Sequence, residues 1–256
     1  MDLLNIFRAL LVLIFTAFAS QAQIESGKVT PPQKPAPAAK DTTVRKPKIR
    51  VENPATSLYF GAGFGMTTRS LTENTGLFAE PLGERAEETP IFTNSYFIGM
   101  RTRLHRQLYI DFGISSAKNG EAYSYTQADS AYAYVSTYRH FAVPIRLQYV
   151  SDGNFKLIAG VGIQPQMFLK YKQEQEWTNT KGVDGSATVS SRDGYTQFTI
   201  AALANVGFQW QFGNNTSLFF LPQAAWQLNN SLSEQSPYVH KGIVYAVQVG
   251  LVFGIK

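Results

Sequence analysis

Eight segments of this chain alternate apolar and polar residues with a period of two, and their apolar sides carry almost no polar interruption. A period of two places successive side chains on opposite faces of a β-strand. In the first segment Leu58, Phe60, Ala62, Phe64 and Met66 share a face, with Gly61, Gly63 and Gly65 opposite. The pattern returns over 96–104, 108–114, 141–149, 155–167, 198–210, 218–226 and 243–255. With their flanks these segments reach about ten residues or more, against 5–6 for an average soluble strand and about 9–11 for a tilted membrane strand. A chain of this kind closes into a barrel, because only closure leaves no unpaired strand edge.

The connections alternate in length. His105-Arg106-Gln107, Ser151-Asp152-Gly153-Asn154 and Gly213-Asn214-Asn215-Thr216 are short, and the last two are rich in hairpin residues. The connections near 69–92, 118–137, 172–194 and 229–241 are long and polar. Short turns at one end and long loops at the other are the pattern of an outer-membrane barrel. An even strand count puts both chain ends on the short-turn, periplasmic side.

A soluble lipocalin-like barrel also alternates, with its apolar face inward. Lipid is favoured here by three features. The apolar faces are nearly pure. Tyr149, Tyr171, Trp210, Trp226 and Tyr245 lie towards their ends, where interfacial aromatics form girdles. The opposite faces are Gly, Gln, Ser, Arg and Lys rather than an ordinary charged exterior. Pro144, Pro165 and Pro222 fall inside strands. Each removes a ladder hydrogen bond, so bulges or breaks are expected there.

Residues 1–22 have the form of a secretory signal. Arg8 precedes an apolar run from Ala9 to Ala19, and Ser20-Gln21-Ala22 offers small residues at a cleavage site. An apolar run of about eleven residues spans only ~16 Å as a helix, too short for a ~30 Å hydrocarbon core. Residues 23–56 are rich in proline, and seven Lys and Arg stand against Glu25, Asp41 and Glu52, a net of +4. Large apolar residues are nearly absent, so this arm is expected to be disordered or polyproline-like. It reads as a periplasmic spacer, or as a docking arm for an acidic or envelope partner.

The whole chain carries 23 Lys and Arg against 18 Asp and Glu, with no dense basic stripe interleaved with aromatics, so nucleic acid is not an expected partner. It has no cysteine, which excludes disulfides, thiolate metal sites, cysteine nucleophiles and lipid acylation at cysteine.

The run Tyr138-Arg-His-Phe-Ala-Val-Pro-Ile-Arg-Leu-Gln-Tyr149 resembles a strand of the PorT-like outer-membrane β-barrel family of Bacteroidetes, in which an aromatic leads into Val/Ile-Pro-Leu-x-Leu-x-Tyr. Lys156-Leu-Ile-Ala-Gly-Val-Gly162 and the closing Val249-Gly-Leu-Val-Phe-Gly254 fit as well. The resemblance covers about residues 57–256 and excludes the arm. It implies the barrel fold and the outer membrane. It carries no shared catalytic site, although some members are tied to secretion or gliding machinery.

Candidate chemistry is sparse. If the 105–107 hairpin pairs Leu104 with Leu108, Arg101 lies across from Asp111 on the inward face, with Arg103 and Arg146 near enough to join them. This set reads as a structural lumen network; an anion site or proton path is the sharper alternative. An eight-stranded barrel is filled by its own side chains, so a constitutive pore is not expected. His105 belongs to a periplasmic turn, and His140 and His240 to the outer rim. Ser233, Glu234 and Ser236 lie near His240, so a rim Ser–His–acid hydrolase of membrane lipid has to be weighed. No spacing supports a metal site, and no cofactor is expected. Loop one pits Glu73, Glu80, Glu84, Glu87 and Glu88 against Arg69 and Arg85. Tyr123 and Tyr125 alternate, as do Tyr132 and Tyr134, so those strands are expected to extend above the membrane as a hairpin.

The expectation is therefore an all-β protein: an eight-stranded antiparallel up-and-down transmembrane β-barrel at 57–256, after a signal peptide at 1–22 and an arm at 23–56. Its expected role is a non-enzymatic anchor, scaffold or accessory subunit of an outer-membrane secretion or transport assembly. The alternatives are a rim-located lipid-modifying enzyme and a small-ligand-binding barrel.

Overall fold

The computed structural model describes residues 53–74, 81–127 and 130–255. The signal segment, nearly all of the arm and Glu80 lie outside the described residues. Ten β-strands run in order: β1 (Thr56–Glu73), β2 (Thr89–His105), β3 (Leu108–Gln127), β4 (Ser130–Ala142), β5 (Ile145–Val150), β6 (Phe155–Thr178), β7 (Asp184–Ser191), β8 (Phe198–Gln211), β9 (Thr216–Gln227) and β10 (Tyr238–Ile255). A short 3-10 turn at Gly83–Glu87 precedes β2.

All pairings are antiparallel, and β1 meets both β2 and β10, so the sheet closes. The ten strands make eight staves. β4 and β5 are one stave broken at Val143-Pro144: both pair with β3 and with β6, and the register runs on through the break. β7 is an added strand that pairs only with the distal part of β6. The eight-stave barrel matches the count read from the alternation.

The three prolines act differently. Pro144 ends β4, yet its carbonyl still accepts from the Gly113 amide at 3.2 Å. Pro165 stays inside a continuous β6 and accepts from the Val143 amide at 2.9 Å, so the strand there neither bulges nor breaks. Opposite Pro222 the β8–β9 ladder lapses between Asn205 and Phe208. Proline removes a donor and leaves the acceptor, which is why two of the three sites keep half of their bonding.

The alternation points its apolar side outward. Leu58, Phe60, Ile98, Ile114, Leu147, Val161 and Trp226 are exposed, whereas Tyr59, Arg101, Asp111, Gln148, Lys156 and Gln209 are buried. Such an exterior is stable only against hydrocarbon, so the fold is a transmembrane β-barrel.

The inward glycines explain how the bore is filled. Tyr59, Phe97 and Phe219 are paired directly with Gly99, Gly61 and Gly250 on the neighbouring strands. A Cβ at Gly99 would sit 2.3 Å from the Tyr59 hydroxyl, and one at Gly61 would sit 2.8 Å from the Phe97 ring. Each ring lies over a glycine and crosses the bore. The three meet with centroids 6.0–6.5 Å apart. With Tyr109, Val150, Ile158, Leu221 and Val252 they form an apolar layer inside the barrel.

Candidate functional site

Two inward clusters of charge and hydrogen bonds occupy the bore at different heights. Arg101 is paired in register with Asp111, although the hairpin itself differs from the expected one. His105, not Leu104, pairs with Leu108, and the extra residue is absorbed between Arg103 and His105. Arg101 grips Asp111 with two bonds, Nε to Oδ1 at 2.8 Å and Nη2 to Oδ2 at 3.2 Å. It also donates to Gln209 at 3.0 Å and to Gln148 at 3.1 Å. Arg146 lies 3.7 Å from the same carboxylate and donates to Gln223, Gln248 and the Tyr59 hydroxyl at 3.0–3.2 Å. Arg103 stands apart, with its Nε on the Tyr109 hydroxyl at 3.1 Å.

One buried carboxylate therefore faces two guanidinium groups, and neutral glutamine oxygens and the Tyr59 hydroxyl accept from several of their other donors. Gln148, Gln209, Gln223, Gln248 and Tyr59 were not singled out from the sequence as members of this network. Their signal was available: each falls on the inward parity of its strand. Beside the network is a cavity of about 20 Å³ lined in part by Arg101, Tyr109, Lys156 and Gln209, which is room for about one water.

The second cluster sits towards the long-loop end. Glu121 accepts from the Tyr138 hydroxyl at 2.6 Å. Its other oxygen lies 3.8 Å from Nε2 of His240. Nδ1 of His240 meets the Ser231 hydroxyl, which also donates to the His240 carbonyl at 3.1 Å. The order Glu121–His240–Ser231 is that of an acid, a base and a nucleophile. All three are buried, with Ser231 only 4 % exposed. Tyr171 and Tyr195 close over Tyr138, with ring centroids 5.2 and 5.7 Å away. Burial, with Tyr171 alongside, pushes the Tyr195 hydroxyl well above the usual tyrosine range, so it stays protonated. His140 packs edge-on against Phe168, and neither ring nitrogen has a hydrogen-bond partner among the described residues.

The serine that reaches His240 is Ser231, not Ser233 or Ser236 beside it in the loop, and the acid is Glu121 rather than Glu234. Sequence proximity does not fix geometry across a barrel. The inward parity of β3, continued past Ser115, reaches Glu121. Among the described residues no group of three or more His, Asp and Glu could hold a metal ion.

The aromatic belt needs one correction. Tyr149, Trp210 and Trp226 are outward and exposed, and Tyr245 is outward beside Met66. Tyr171 points inward, because β6 carries one extra residue between Phe168 and Lys170, opposite the Arg139–His140 step. A one-residue bulge moves every later side chain to the other face.

Above the belt β3 and β4 continue as a hairpin, with Tyr123 paired to Tyr134 and Tyr125 to Tyr132. Tyr123 and Tyr134 stack at 5.4 Å. The Tyr134 hydroxyl donates to Glu88 at 2.5 Å, and burial pushes its pKa up to about 12. Glu88 also pairs with Arg69, and Arg85 lies over the Tyr238 ring at 4.8 Å. The described part of the first loop is thus held to β1, β4 and β10 through Glu88 and Arg85.

No family model matches the chain, and no curated protein is similar to it. Among solved structures it is similar to the outer membrane protein OprG of Pseudomonas aeruginosa, at 11 % identity and TM-score 0.44, over 79 % of this chain and 97 % of that one. Neisserial surface protein A is similar at 9 % identity and TM-score 0.38, over 78 % and 97 %. The N-terminal β-barrel domain of Pseudomonas aeruginosa OprF follows at 11 % identity and TM-score 0.33, over 79 % and 100 %.

Proposed function

We propose that this chain is an integral outer-membrane barrel that works as a non-enzymatic anchor or accessory subunit, in the manner of the PorT-like barrels its strands resemble. The observation that carries this reading is the filled bore. Arg101, Asp111, Arg146 and their glutamines, together with the crossed aromatic rings, fill the bore at the heights where they lie. What remains available is the exterior, including the extended β3–β4 and β6–β7 hairpins. Asn53 already contacts the short-turn end, where its amide donates to the Ser151 carbonyl at 3.2 Å. The arm at 23–56 would therefore start from the periplasmic mouth and reach a protein partner there, after removal of the signal segment near Ala22.

The test is purification of the tagged protein from its native outer membrane in mild detergent, with and without residues 23–56. A stoichiometric partner that is lost on deletion of the arm is expected. A clean monomer in both preparations would overturn the subunit reading.

The Glu121–His240–Ser231 order favours one second reading, a lipid hydrolase at the outer rim. The anchor reading expects no release of fatty acid from phospholipid or glycolipid vesicles by the wild type, and none by Ser231→Ala. Release by the wild type that falls at least about 100-fold in Ser231→Ala, with the barrel still folded, would establish the enzyme instead.

A further inference from the structure

The first row of side chains above the apolar belt is cationic on three adjacent staves. Lys118 on β3 is paired directly with Arg139 on β4, and Arg139 with Lys170 on β6. All three share the outward face with the Ser116–Phe141–Met167 row just below, where Phe141 and Met167 are exposed to lipid. The β6 bulge puts Lys170 there: without the extra residue its parity would turn it into the bore. Paired positions in a sheet bring Cβ atoms to about 5 Å, so the three charges fall within roughly 10 Å of one another.

Like charges set directly opposite are destabilising unless something neutralises them. Among the described residues none of the three forms an ion pair. Lys118 donates to the neutral Asn94 side chain at 3.0 Å. Glu174, two rows further out on β6, pairs with Lys172. Arg192 adds a fourth cation, anchored by its Nε on the Leu169 carbonyl at 2.6 Å, with Asp193 next to it in sequence.

We propose that Lys118, Arg139 and Lys170 form a docking site for the phosphate groups of an anionic lipid headgroup in the leaflet that faces the long loops. The site lies at the height where headgroup phosphates meet hydrocarbon. Apolar residues below it accept the acyl chains, and a guanidinium flanked by two ammonium groups matches a phosphorylated sugar or glycerol headgroup. The inference rests on the membrane reading. The test separates the two, because insertion is measured independently of lipid choice.

The full chain is refolded into phosphatidylcholine nanodiscs containing a small fraction of lipid A, and co-purified lipid is quantified by native mass spectrometry. Wild type is expected to retain lipid A over phosphatidylcholine. Lys118→Gln/Arg139→Gln/Lys170→Gln is expected to insert equally well and to lose about 100-fold in lipid A preference, at about fivefold per cation. The charge-preserving Lys118→Arg/Arg139→Lys/Lys170→Arg is expected to keep most of it. Equal retention by wild type and the glutamine variant would overturn the proposal. So would complete displacement of lipid A by millimolar inorganic phosphate, which would make this a site for free phosphate.

Discussion

Asp111→Ala is expected to cost the barrel about 3–5 kcal/mol of unfolding free energy, the usual range when one partner of a buried ion pair is removed. Asp111 is fully buried and is the carboxylate shared by Arg101 and Arg146. Its loss leaves two guanidinium groups in a bore with a cavity of only about 20 Å³ beside them. Glutamine oxygens solvate those groups but supply no counter-charge. A double replacement, Arg101→Met with Asp111→Leu, should recover only part of the loss, since it removes one of the two unpaired guanidinium groups while Arg146 keeps Tyr59, Gln223 and Gln248 but no counter-charge. Urea titration in detergent, followed by the shift between folded and unfolded bands on an unheated gel, measures both. A single variant within about 0.5 kcal/mol of wild type, the ordinary range for an inconsequential surface change, would show that the pair does not stabilise the barrel.

The staves and the Arg101–Asp111 pairing were legible in the sequence because alternation survives any tertiary context in which one face is apolar. The filling of the bore was partly legible. Gly61, Gly99 and Gly250 were visible as small inward residues, but only the register shows that Phe97, Tyr59 and Phe219 lie over them. Two features were not legible. The bulge at Leu169 leaves no mark in hydropathy, so Tyr171 read as outward, and it is reversed. The Glu121–His240–Ser231 order joins β3, the last loop and β10, segments more than a hundred residues apart at the extremes, and it depends on which hairpin strands continue above the belt. Alternation gives parity within a stave. It does not give the height at which two distant staves meet, and that height decides which inward groups touch.

Val161→Arg tests the direction of the alternation itself. Val161 is the midpoint of the outward run from Phe155 to Met167 on β6 and is 61 % exposed. On a water-soluble barrel an exposed valine replaced by arginine would change stability by no more than about 0.5 kcal/mol. On a transmembrane barrel the same side chain lies at the bilayer midplane, and the change is expected to cost about 2–4 kcal/mol. Phe155→Arg, at the short-turn end of the same run, is the internal control. It is just as exposed, at 57 %, but near the interface, where the expected cost falls to about 0–1 kcal/mol. Unfolding by urea from phosphatidylcholine vesicles gives both values on one scale. The depth gradient is the discriminating quantity, because overpacking or lost strand propensity would not depend on height. Equal and small costs at Val161 and Phe155 would remove the membrane from the account and leave an exported barrel that hides its apolar exterior against protein.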